Sequence, residues 1–395
     1  MTETAPIYLD HAASAPLDPR VAAIMAECLA DPSLQANPSS AHTAGRAVAA
    51  RIATARAQVA ALIGAPPDAI VFTSGATESV NLAILGAARA AGRAKRHVVT
   101  SRIEHHAGRE ACRQLEREGF EVTWLKPAPE GFVEPRLVAE ALRPDTALVS
   151  LIQANNETGV LNDIDAVGAL CRAREVALHV DAVQSAGKVP IDVATGGVAL
   201  LSFCAHKLGG PKGVGALYVR RRPRPALQPL QFGGSHEGGL RPGTLATHQL
   251  VGFGAACELA RMALDTEPVR IRALRERLWH ALQAAAPLWR NGTPEPSVPG
   301  ILNVGFAGVE GESLLLELDG RLAVASGAAC SSATAEPSPV LRALGHSDLA
   351  IQASLRLSLG RETTALEIDR AAAILIAAVQ RLRGALPAGA LERIA

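Results

Sequence analysis

The sequence lacks an excess of charge of either sign, and it lacks a long apolar stretch. Its 39 basic and 38 acidic side chains leave a formal net charge of +1, so there is no electrostatic basis for a nucleic-acid or membrane-surface partner. The longest uninterrupted apolar run covers nine residues, 371–379, whereas a membrane-spanning helix needs about 20. Because residues 1–10 contain no basic segment followed by an apolar one, we expect no secretory signal and a cytoplasmic protein.

The sequence also lacks closely spaced cysteine pairs, and it contains few lysines. None of the six cysteines lies in a C-x-x-C pair, which argues against a disulfide framework or a zinc ribbon, although a lone cysteine could be a nucleophile. They are Cys28, Cys112, Cys171, Cys204, Cys257 and Cys330. Chemistry that needs a lysine amine has only five candidates. They are Lys95, Lys126, Lys188, Lys207 and Lys212.

The sequence does contain ample material for packed interiors. Hydrophobic residues make up 48% of the 395 residues and charged residues 19%, and this length predicts roughly two domains. From residue 70 to 222, short β-like runs alternate with helical stretches, and several runs are continuously apolar, as in strands covered on both faces. The pattern predicts a largely parallel, doubly wound α/β sheet. The predicted strands are 70–73, 97–101, 121–125, 147–153, 177–180, 200–204 and 213–219.

The pattern changes in the last third of the chain. A helical stretch at 248–264 precedes further helix to about residue 288, and residues 301–395 have an α+β pattern. We place a domain boundary inside the first of these helices, near Glu258. This predicts a large α/β domain over residues 16–258 and a small α+β domain formed by 1–15 with 259–395. Two earlier helices are predicted at 48–62, ended by Gly64, and at 106–118, ended by Gly119.

Polar groups follow the predicted strands at their carboxyl ends, where open α/β sheets bind ligands. Ser74 to Ser79 combines glycine and small hydroxyl residues at a helix start, which suits an anion cradle, although an ordinary capping box has the same pattern. His105 and His106 follow the next strand, but their spacing makes a metal site improbable. Asn155 and Asn156 after the fourth strand could be simple turn residues.

Two later strands end in groups of opposite charge. Asp181 closes the fifth strand, and Lys207 follows the sixth. The glycine-rich stretch 208–213 is not a phosphate-binding P-loop, because Gly213 stands where that motif needs serine or threonine. A lysine, an acid and an anion cradle at neighbouring strand ends suit pyridoxal phosphate. That cofactor needs a Schiff-base lysine, a carboxylate for its pyridinium nitrogen and an anion site for its phosphate ester.

Motifs along the whole chain support this interpretation. They are YLD at 8–10, NPSS at 37–40, FTSGATES at 72–79, HVDAVQ at 179–184, SFCAHK at 202–207, GPKG at 210–213, RPGT at 241–244, EGES at 310–313, SGAAC at 326–330 and LRLSLGR at 355–361. With them the chain resembles the cysteine desulfurases, which belong to the class V aminotransferase group and to pyridoxal-phosphate fold type I. The segment from Cys330 to Gly345 resembles the long-loop group, which includes the housekeeping iron–sulfur enzymes. The fold implied is a mostly parallel seven-stranded sheet in the large domain, plus a smaller α+β C-terminal domain.

The resemblance implies catalytic and binding roles for particular residues. Lys207 would bind the cofactor and move the Cα proton of the substrate, and His105 would stack on the cofactor ring and assist proton transfer. Cys330, on a loop at about 325–338, would be the nucleophile that takes the sulfur. The implied cofactor-binding residues are Ala76, Thr77, His105, Asn156, Asp181, Gln184, Cys204, His206, Lys207 and Thr244, the last from the second subunit of a homodimer. The implied substrate-binding residues are Arg356 and Asn156.

The activity implied is removal of sulfur from L-cysteine, giving L-alanine and a Cys330 persulfide. The persulfide would serve iron–sulfur cluster assembly or thiolation through an acceptor protein such as an iron–sulfur scaffold. No resident metal is expected, although Cys330 could transiently ligate a cluster iron. The alternatives are a selenocysteine lyase or another class V lyase or aminotransferase, and a catalytically idle paralogue that acts as a scaffold. The loop thiol argues against a simple aminotransferase, and retention of Lys207, Asp181 and His105 argues against an idle paralogue.

Departures from the family pattern are few. Cys204 stands where the family usually has serine near the phosphate, and a thiol is a weaker hydrogen-bond donor, so cofactor affinity could be altered. An equally good interpretation makes Cys204 a core residue. Lys212 is expected to be structural or at the surface. The cysteines in helical apolar patterns are expected to be inert core thiols. They are Cys28, Cys112, Cys171 and Cys257.

Overall fold

A computed structural model describes residues 5–326 and 337–385 of the chain. The strands are β1 (Ile7–Tyr8), β2 (Ile70–Thr73), β3 (His97–Ser101), β4 (Glu121–Leu125), β5 (Thr146–Ile152), β6 (Ala177–Asp181), β7 (Leu200–Cys204), β8 (Gly215–Val219), β9 (Leu288–Arg290), β10 (Ile301–Phe306), β11 (Leu322–Ala323), β12 (Ala325–Ser326) and β13 (Ser354–Ser358). The α-helices are α1 (Pro19–Ala30), α2 (Thr43–Ala61), α3 (Ala76–Ala90), α4 (His106–Arg117), α5 (Pro135–Ala141), α6 (Ile164–Ala173), α7 (Thr247–Ala263), α8 (Glu267–Leu282), α9 (Gly311–Leu318), α10 (Pro339–Ala343), α11 (Asp348–Gln352) and α12 (Ala365–Gly384).

The central sheet has seven strands in the order β2-β8-β7-β6-β5-β3-β4. Every neighbouring pair is parallel except those of β8, which runs antiparallel to both β2 and β7. The predicted α/β class with a mostly parallel seven-stranded sheet is therefore confirmed. Four predicted strands have the observed bounds, and the other three differ from them by one or two residues at their ends.

Both faces of this sheet are covered, which explains the continuous apolar runs in the sequence. Neighbouring residues of one strand point to opposite faces. Phe72 belongs to the apolar cluster that contains α2 and α7, whereas Val71 belongs to the cluster that contains α3 and α4. Strand β4 lies at the edge of the sheet, and its residues are correspondingly exposed or half-buried up to Leu125.

A second, smaller sheet has a separate apolar cluster. Its strands pair antiparallel in the order β12-β13-β10-β9. This cluster combines strand residues such as Phe306 and Leu357 with residues of α8, α9 and α12, and it includes Ile7 and Leu9 from the start of the chain. The buried residues of α7, by contrast, pack with the central sheet, as does Val340 of α10. The domain bounds 16–258 and 1–15 with 259–395 stay a prediction.

The two sheets meet through the first residues of the chain. Strand β1 pairs with β11, and Asp10 forms a bridge with Ser358 at the end of β13. The segment that follows passes over the carboxyl ends of the central strands, because the backbone N–H of Ala15 donates to the carbonyl of His206. In the part of the chain that the structure describes, no helix is long and apolar enough to cross a membrane.

Candidate active site

A cavity of about 830 Å³ lies at the carboxyl ends of β2, β3, β5, β6 and β7. Both sheets contribute to it, since Ser326 and Arg356 come from the smaller sheet. Nine residues that the sequence analysis assigned to the site line this cavity. They are Ala76, Thr77, His105, Asn156, Asp181, Gln184, His206, Lys207 and Arg356.

Lys207 brings an amine into the cavity from a short 3-10 turn, Ala205–Lys207, directly after β7. Its Nζ donates to the carbonyl oxygens of Ala12 at 2.6 Å and Ala13 at 2.7 Å. Burial lowers the pKa of this amine below its usual value, and the positive charge of Arg356 acts in the same direction. A lysine with a lowered pKa is more readily available as a neutral nucleophile and proton acceptor.

Asp181 ends β6 as a buried carboxylate. Burial raises its pKa to about 6, partly opposed by the backbone N–H of Val183, which donates to Oδ1 at 3.0 Å, and by the charge of Lys207. In the described residues no arginine or lysine forms an ion pair with this carboxylate. A protonated ring nitrogen placed beside it would supply the missing positive charge and stabilise its ionised form.

His105 lies on the cavity wall at the N-cap of α4. Its Nδ1 accepts a hydrogen bond from the N–H of Ala107 at 3.1 Å, which determines the orientation of the ring. The ring surface is open to the cavity, but surrounding protein desolvates it and lowers the pKa to about 4, and Lys207 adds to this effect. The imidazole is therefore neutral at pH 7 and suited to stacking or to proton transfer.

The N-terminus of α3 forms the predicted anion cradle. Its N-cap is Gly75, with φ +155°, and no side chain caps the helix. The first N–H groups of a helix have no carbonyl partner inside the helix, so those of Ala76 and Thr77 are available to an anion. This outcome favours the anion cradle over the ordinary capping box.

Charged side chains surround this helix start. Glu78 accepts from the N–H of Ser74 at 2.6 Å and from Nε of Arg241 at 3.0 Å, which ties the 241–244 segment to the cradle. His206 and Lys212 line the same cavity. Lys212 is exposed, as expected from the sequence, and it also lines the space that an anion on α3 would share.

Asn156 and Arg356 form the opposite side of the site. Arg356 donates from Nη1 to the backbone oxygen of Asn156 at 2.9 Å and from Nη2 to Oδ1 of Asp10 at 2.8 Å. The side-chain oxygen of Asn156 and Nε of Arg356 are buried without a hydrogen-bond partner. Buried polar atoms are rarely left unpaired, so such atoms at a cavity indicate a site for a polar ligand.

These groups fit the cofactor expected from the sequence. The amine of Lys207, the carboxylate of Asp181 and the N–H groups of α3 match the aldehyde, ring nitrogen and phosphate ester of pyridoxal phosphate, and the unpaired oxygen of Asn156 is a further polar contact.

The remaining predicted site residues are Cys204, Thr244 and Cys330. Cys204 is 1% exposed and does not line it, and burial raises the pKa of its thiol to about 11. Thr244 lies by a separate surface cavity with Cys28, Asn37 and His248. Cys330 lies outside the described residues.

Sequence reasoning assigned no role to several residues that line the cavity. Asp10 is one, although the YLD motif contains it, and Glu157 is another. Burial raises the pKa of the Glu157 carboxyl, and Ser338 Oγ donates to its Oε2 at 2.5 Å. The contacts of Asp10 with Arg356 and of Glu157 with Ser338 join segments that are far apart in the sequence, so only the structure could reveal them. Among the described residues, no group of three or more histidine, cysteine, aspartate or glutamate side chains is arranged to hold a metal ion.

Known proteins resemble this chain over nearly its whole length. A protein of Aeromonas hydrophila named cysteine desulfurase IscS is 52% identical over 383 residues, which is 97% of this chain and 95% of that protein. A solved NifS-like protein superposes with a TM-score of 0.88 at 32% identity, covering 96% of this chain and 99% of its own. The structure of SspA in complex with cysteine has a TM-score of 0.79 at 35% identity, covering 90% and 99%. The family model for aminotransferase class V matches residues 7–371. The chain therefore belongs to the aminotransferase class-V family.

Proposed function

We propose that this protein is a pyridoxal-phosphate-dependent cysteine desulfurase, which converts L-cysteine to L-alanine and passes the sulfur on as a persulfide. One observation carries the proposal. Lys207, Asp181, the N-terminus of α3 and Arg356 line a single cavity, in a chain about half identical to proteins named cysteine desulfurase. The related SspA structure, solved in complex with cysteine, supports cysteine as the substrate.

Different residues of the cavity would hold different parts of the cofactor. When bound, pyridoxal phosphate supplies an electron sink for the negative charge that develops at the substrate Cα. The N–H groups of Ala76 and Thr77 would hold its phosphate, and Asp181 would keep its ring nitrogen protonated. Lys207 would anchor it covalently. Lys207 Nζ donates hydrogen bonds to two backbone carbonyls. These carbonyls would accept the N–H protons of the amine after the substrate displaces it from the cofactor.

Arg356 would bind the carboxylate of the substrate, because its guanidinium lies in the cavity and is 12% exposed. Lys207, once displaced by the substrate amine, would remove the proton from the substrate Cα. His105, which is neutral at pH 7, would stack on the cofactor ring and assist proton transfer. Asn156 would contact both cofactor and substrate.

Sulfur transfer is assigned to Cys330. Its thiolate would attack the sulfur of the substrate, so that an S–S bond forms and the C–S bond breaks. The electron pair of the broken bond stays with the carbon skeleton, which takes up a proton and leaves as L-alanine. Cys330 then carries a persulfide, which an acceptor protein such as an iron–sulfur scaffold would receive.

We also propose a homodimer in which Thr244 of each subunit contributes to the site of the other. Thr244 is apart from the cavity within one chain, and the segment that carries it also presents Phe232, which is 83% exposed. Single exposed apolar side chains are common on protein surfaces, so Phe232 supports the dimer only through its place in the segment that carries Thr244. The cytoplasmic location and the absence of a nucleic-acid or membrane partner stay predictions from the sequence.

The test measures sulfide and L-alanine released from L-cysteine in the presence of a reductant. The unmodified protein is expected to release them in equal amounts. Cys330→Ala is expected to retain the visible absorption of bound cofactor and lose at least roughly a hundredfold in turnover, because no other thiol takes the sulfur. Cys171→Ala, which removes a buried thiol of α6, is the matched control and should turn over normally.

Two results would contradict the proposal. Full turnover of L-cysteine by Cys330→Ala would mean that sulfur does not pass through this thiol, which favours a selenocysteine lyase or another class V lyase. Absence of any visible cofactor absorption from the purified and reloaded protein would favour a scaffold without catalysis.

A further inference from the structure

Lys188 is a partly buried lysine that the proposed chemistry does not use. It lies in the segment after β6, and its Nζ donates to Oε1 of Gln184 at 2.8 Å. No ion pair joins it to a carboxylate in the described ranges. Its charged or titratable neighbours are Lys207, Arg356, Cys204, His11 and His206. Burial lowers the pKa of Lys188 to about 7, with further lowering from Lys207. A lysine kept in such surroundings without a counter-ion needs a reason.

Gln184, its partner, connects Lys188 to the cavity. The Gln184 side chain is 2% exposed and lines the cavity, and its Nε2 donates to the carbonyl oxygen of Ala12 at 2.8 Å. The same carbonyl accepts the hydrogen bond from Lys207 Nζ at 2.6 Å. A chain of hydrogen bonds thus runs from Lys188 through the Gln184 amide to the oxygen that also holds the active lysine.

These contacts determine which way the Gln184 amide faces. A carbonyl oxygen only accepts, so Ala12 requires the nitrogen of the amide on its side. The amide oxygen then lies at Lys188, which supplies donors. Without Lys188 that oxygen would be a buried acceptor with no partner, and the amide would gain by rotating away from its present position.

We propose that Lys188 is a positioning residue, which holds the Gln184 carboxamide so that its remaining N–H points to the cavity and donates to an acceptor oxygen of the group bound there. The inference rests on the proposed function, since that group would be the cofactor, which carries a phenolic oxygen as an acceptor. A donor at this place stabilises negative charge on the oxygen. It thereby lowers the proton affinity of the Lys207 nitrogen next to it when the cofactor is bound.

The test follows the pH midpoint of the visible absorption band of the cofactor-loaded protein. Lys188→Met keeps the length of the side chain and removes the donor. It is expected to raise the midpoint by about one pH unit, the size of one net hydrogen bond. Lys188→Arg, which restores a donor, should return the midpoint most of the way to the unmodified value. Lys126→Met removes an exposed lysine and should leave the midpoint unchanged.

A double-mutant cycle separates positioning from the charge of Lys188 acting through space. In a Gln184→Met background, Lys188→Met is expected to cause no further shift, because the amide through which it acts is gone. An additive shift in that background would overturn the positioning role, and so would an unchanged midpoint in Lys188→Met alone. Either result leaves the proposed function intact, whereas a loaded unmodified protein without a visible band would overturn both.

Discussion

At the scale of single residues, Asp10 forms an ion pair with Arg356, the arginine that is proposed to bind the substrate. Its Oδ1 lies 2.8 Å from Nη2 of Arg356, and the two side chains are 22% and 12% exposed. A carboxylate already present at the guanidinium competes with an incoming one and repels it, since both are anions in a partly desolvated cavity. If Arg356 binds the substrate carboxylate as proposed, Asp10 weakens that binding.

We expect Asp10→Asn to bind L-alanine, the non-reactive product, more tightly. Asparagine retains the acceptor oxygen for Arg356 but removes the negative charge. With a gain of about 1 kcal/mol, typical of a partly screened charge contact, the dissociation constant should fall roughly fivefold. The measurement is inhibition of L-cysteine turnover by L-alanine.

Asp319→Asn, at an exposed position after α9, is the charge-matched control and should leave the inhibition constant unchanged. A weaker inhibition by L-alanine in Asp10→Asn would mean that Asp10 orients Arg356 for the substrate and does not compete with it.

The sequence could predict residues that directly follow a strand, but not pairs brought together by the meeting of the two sheets. Lys207, Asp181 and His105 were predictable because parallel strands end at one edge of a sheet. Asp10 and Arg356 are 346 positions apart, and the hydrogen bonds of residues 9–12 with Ser358 bring them together. Cys204 ends a strand too, yet its side chain lies away from the cavity, because neighbouring residues alternate between the faces of a sheet.

At the scale of elements, the antiparallel strand β8 limits where the anion cradle can lie. Gly215, its first residue, pairs with Thr73 at the end of β2. A Cβ added to Gly215 would lie 2.7 Å from the carbonyl carbon of Gly75 and 2.9 Å from the backbone oxygen of Phe203. Both neighbours are backbone, so relief of the contact requires a movement of the turn that leads into α3 or of strand β7.

Gly215→Ala is therefore expected to displace the cradle and weaken cofactor binding. Overpacking of this kind costs about 1–3 kcal/mol. If half of this cost falls on the bound state, the cofactor dissociation constant should rise by roughly two- to tenfold. Titration of cofactor into the cofactor-free protein gives the constant, and urea unfolding reports the loss of stability.

Gly384→Ala, at the end of α12 where an added Cβ meets nothing within 4 Å, provides the comparison and should leave cofactor affinity unchanged without any loss of stability. Cofactor affinity equal to that of the unmodified protein in Gly215→Ala would mean that the close approach of β8 and Gly75 does not position the cradle.

The elements of the central sheet were predictable, and those of the smaller sheet were not. Strands β2, β3 and β7 are short apolar runs between turn residues, so their bounds could be read from the sequence. Strands β9 and β12 of the smaller sheet have three and two residues, which is too short to show a periodic pattern in the sequence. The antiparallel direction of β8 follows from its connection to β7, a turn too short for a crossover.

At the scale of the whole molecule, one chain leaves part of its expected site incomplete. Thr244, predicted to contact the cofactor, is outside the cavity, and Phe232 in the same segment is 83% exposed. A single arrangement accounts for both observations. If two chains associate through this segment, Phe232 is buried and Thr244 of one chain can reach the cavity of the other.

Phe232→Asp is accordingly expected to weaken the dimer. A charge placed on an apolar contact must be desolvated when the chains associate, so the dissociation constant of the dimer should rise by roughly a hundredfold or more. Sedimentation velocity over a range of concentrations measures this constant, with the unmodified protein expected at twice the mass of the chain. Leu316→Asp, on α9 and 80% exposed, is the matched control and should sediment as the unmodified protein does.

If Thr244 acts across the interface, the affinity for cofactor must depend on whether the two chains are associated. Dilution of Phe232→Asp into its monomeric range should release cofactor in parallel with dissociation, because each chain then loses the contact that its partner supplied. A monomer that retains cofactor as tightly as the dimer would contradict the cross-subunit role of Thr244. An unmodified protein that sediments as a monomer and still releases sulfide would contradict the dimer itself, because every group needed for turnover would then come from one chain.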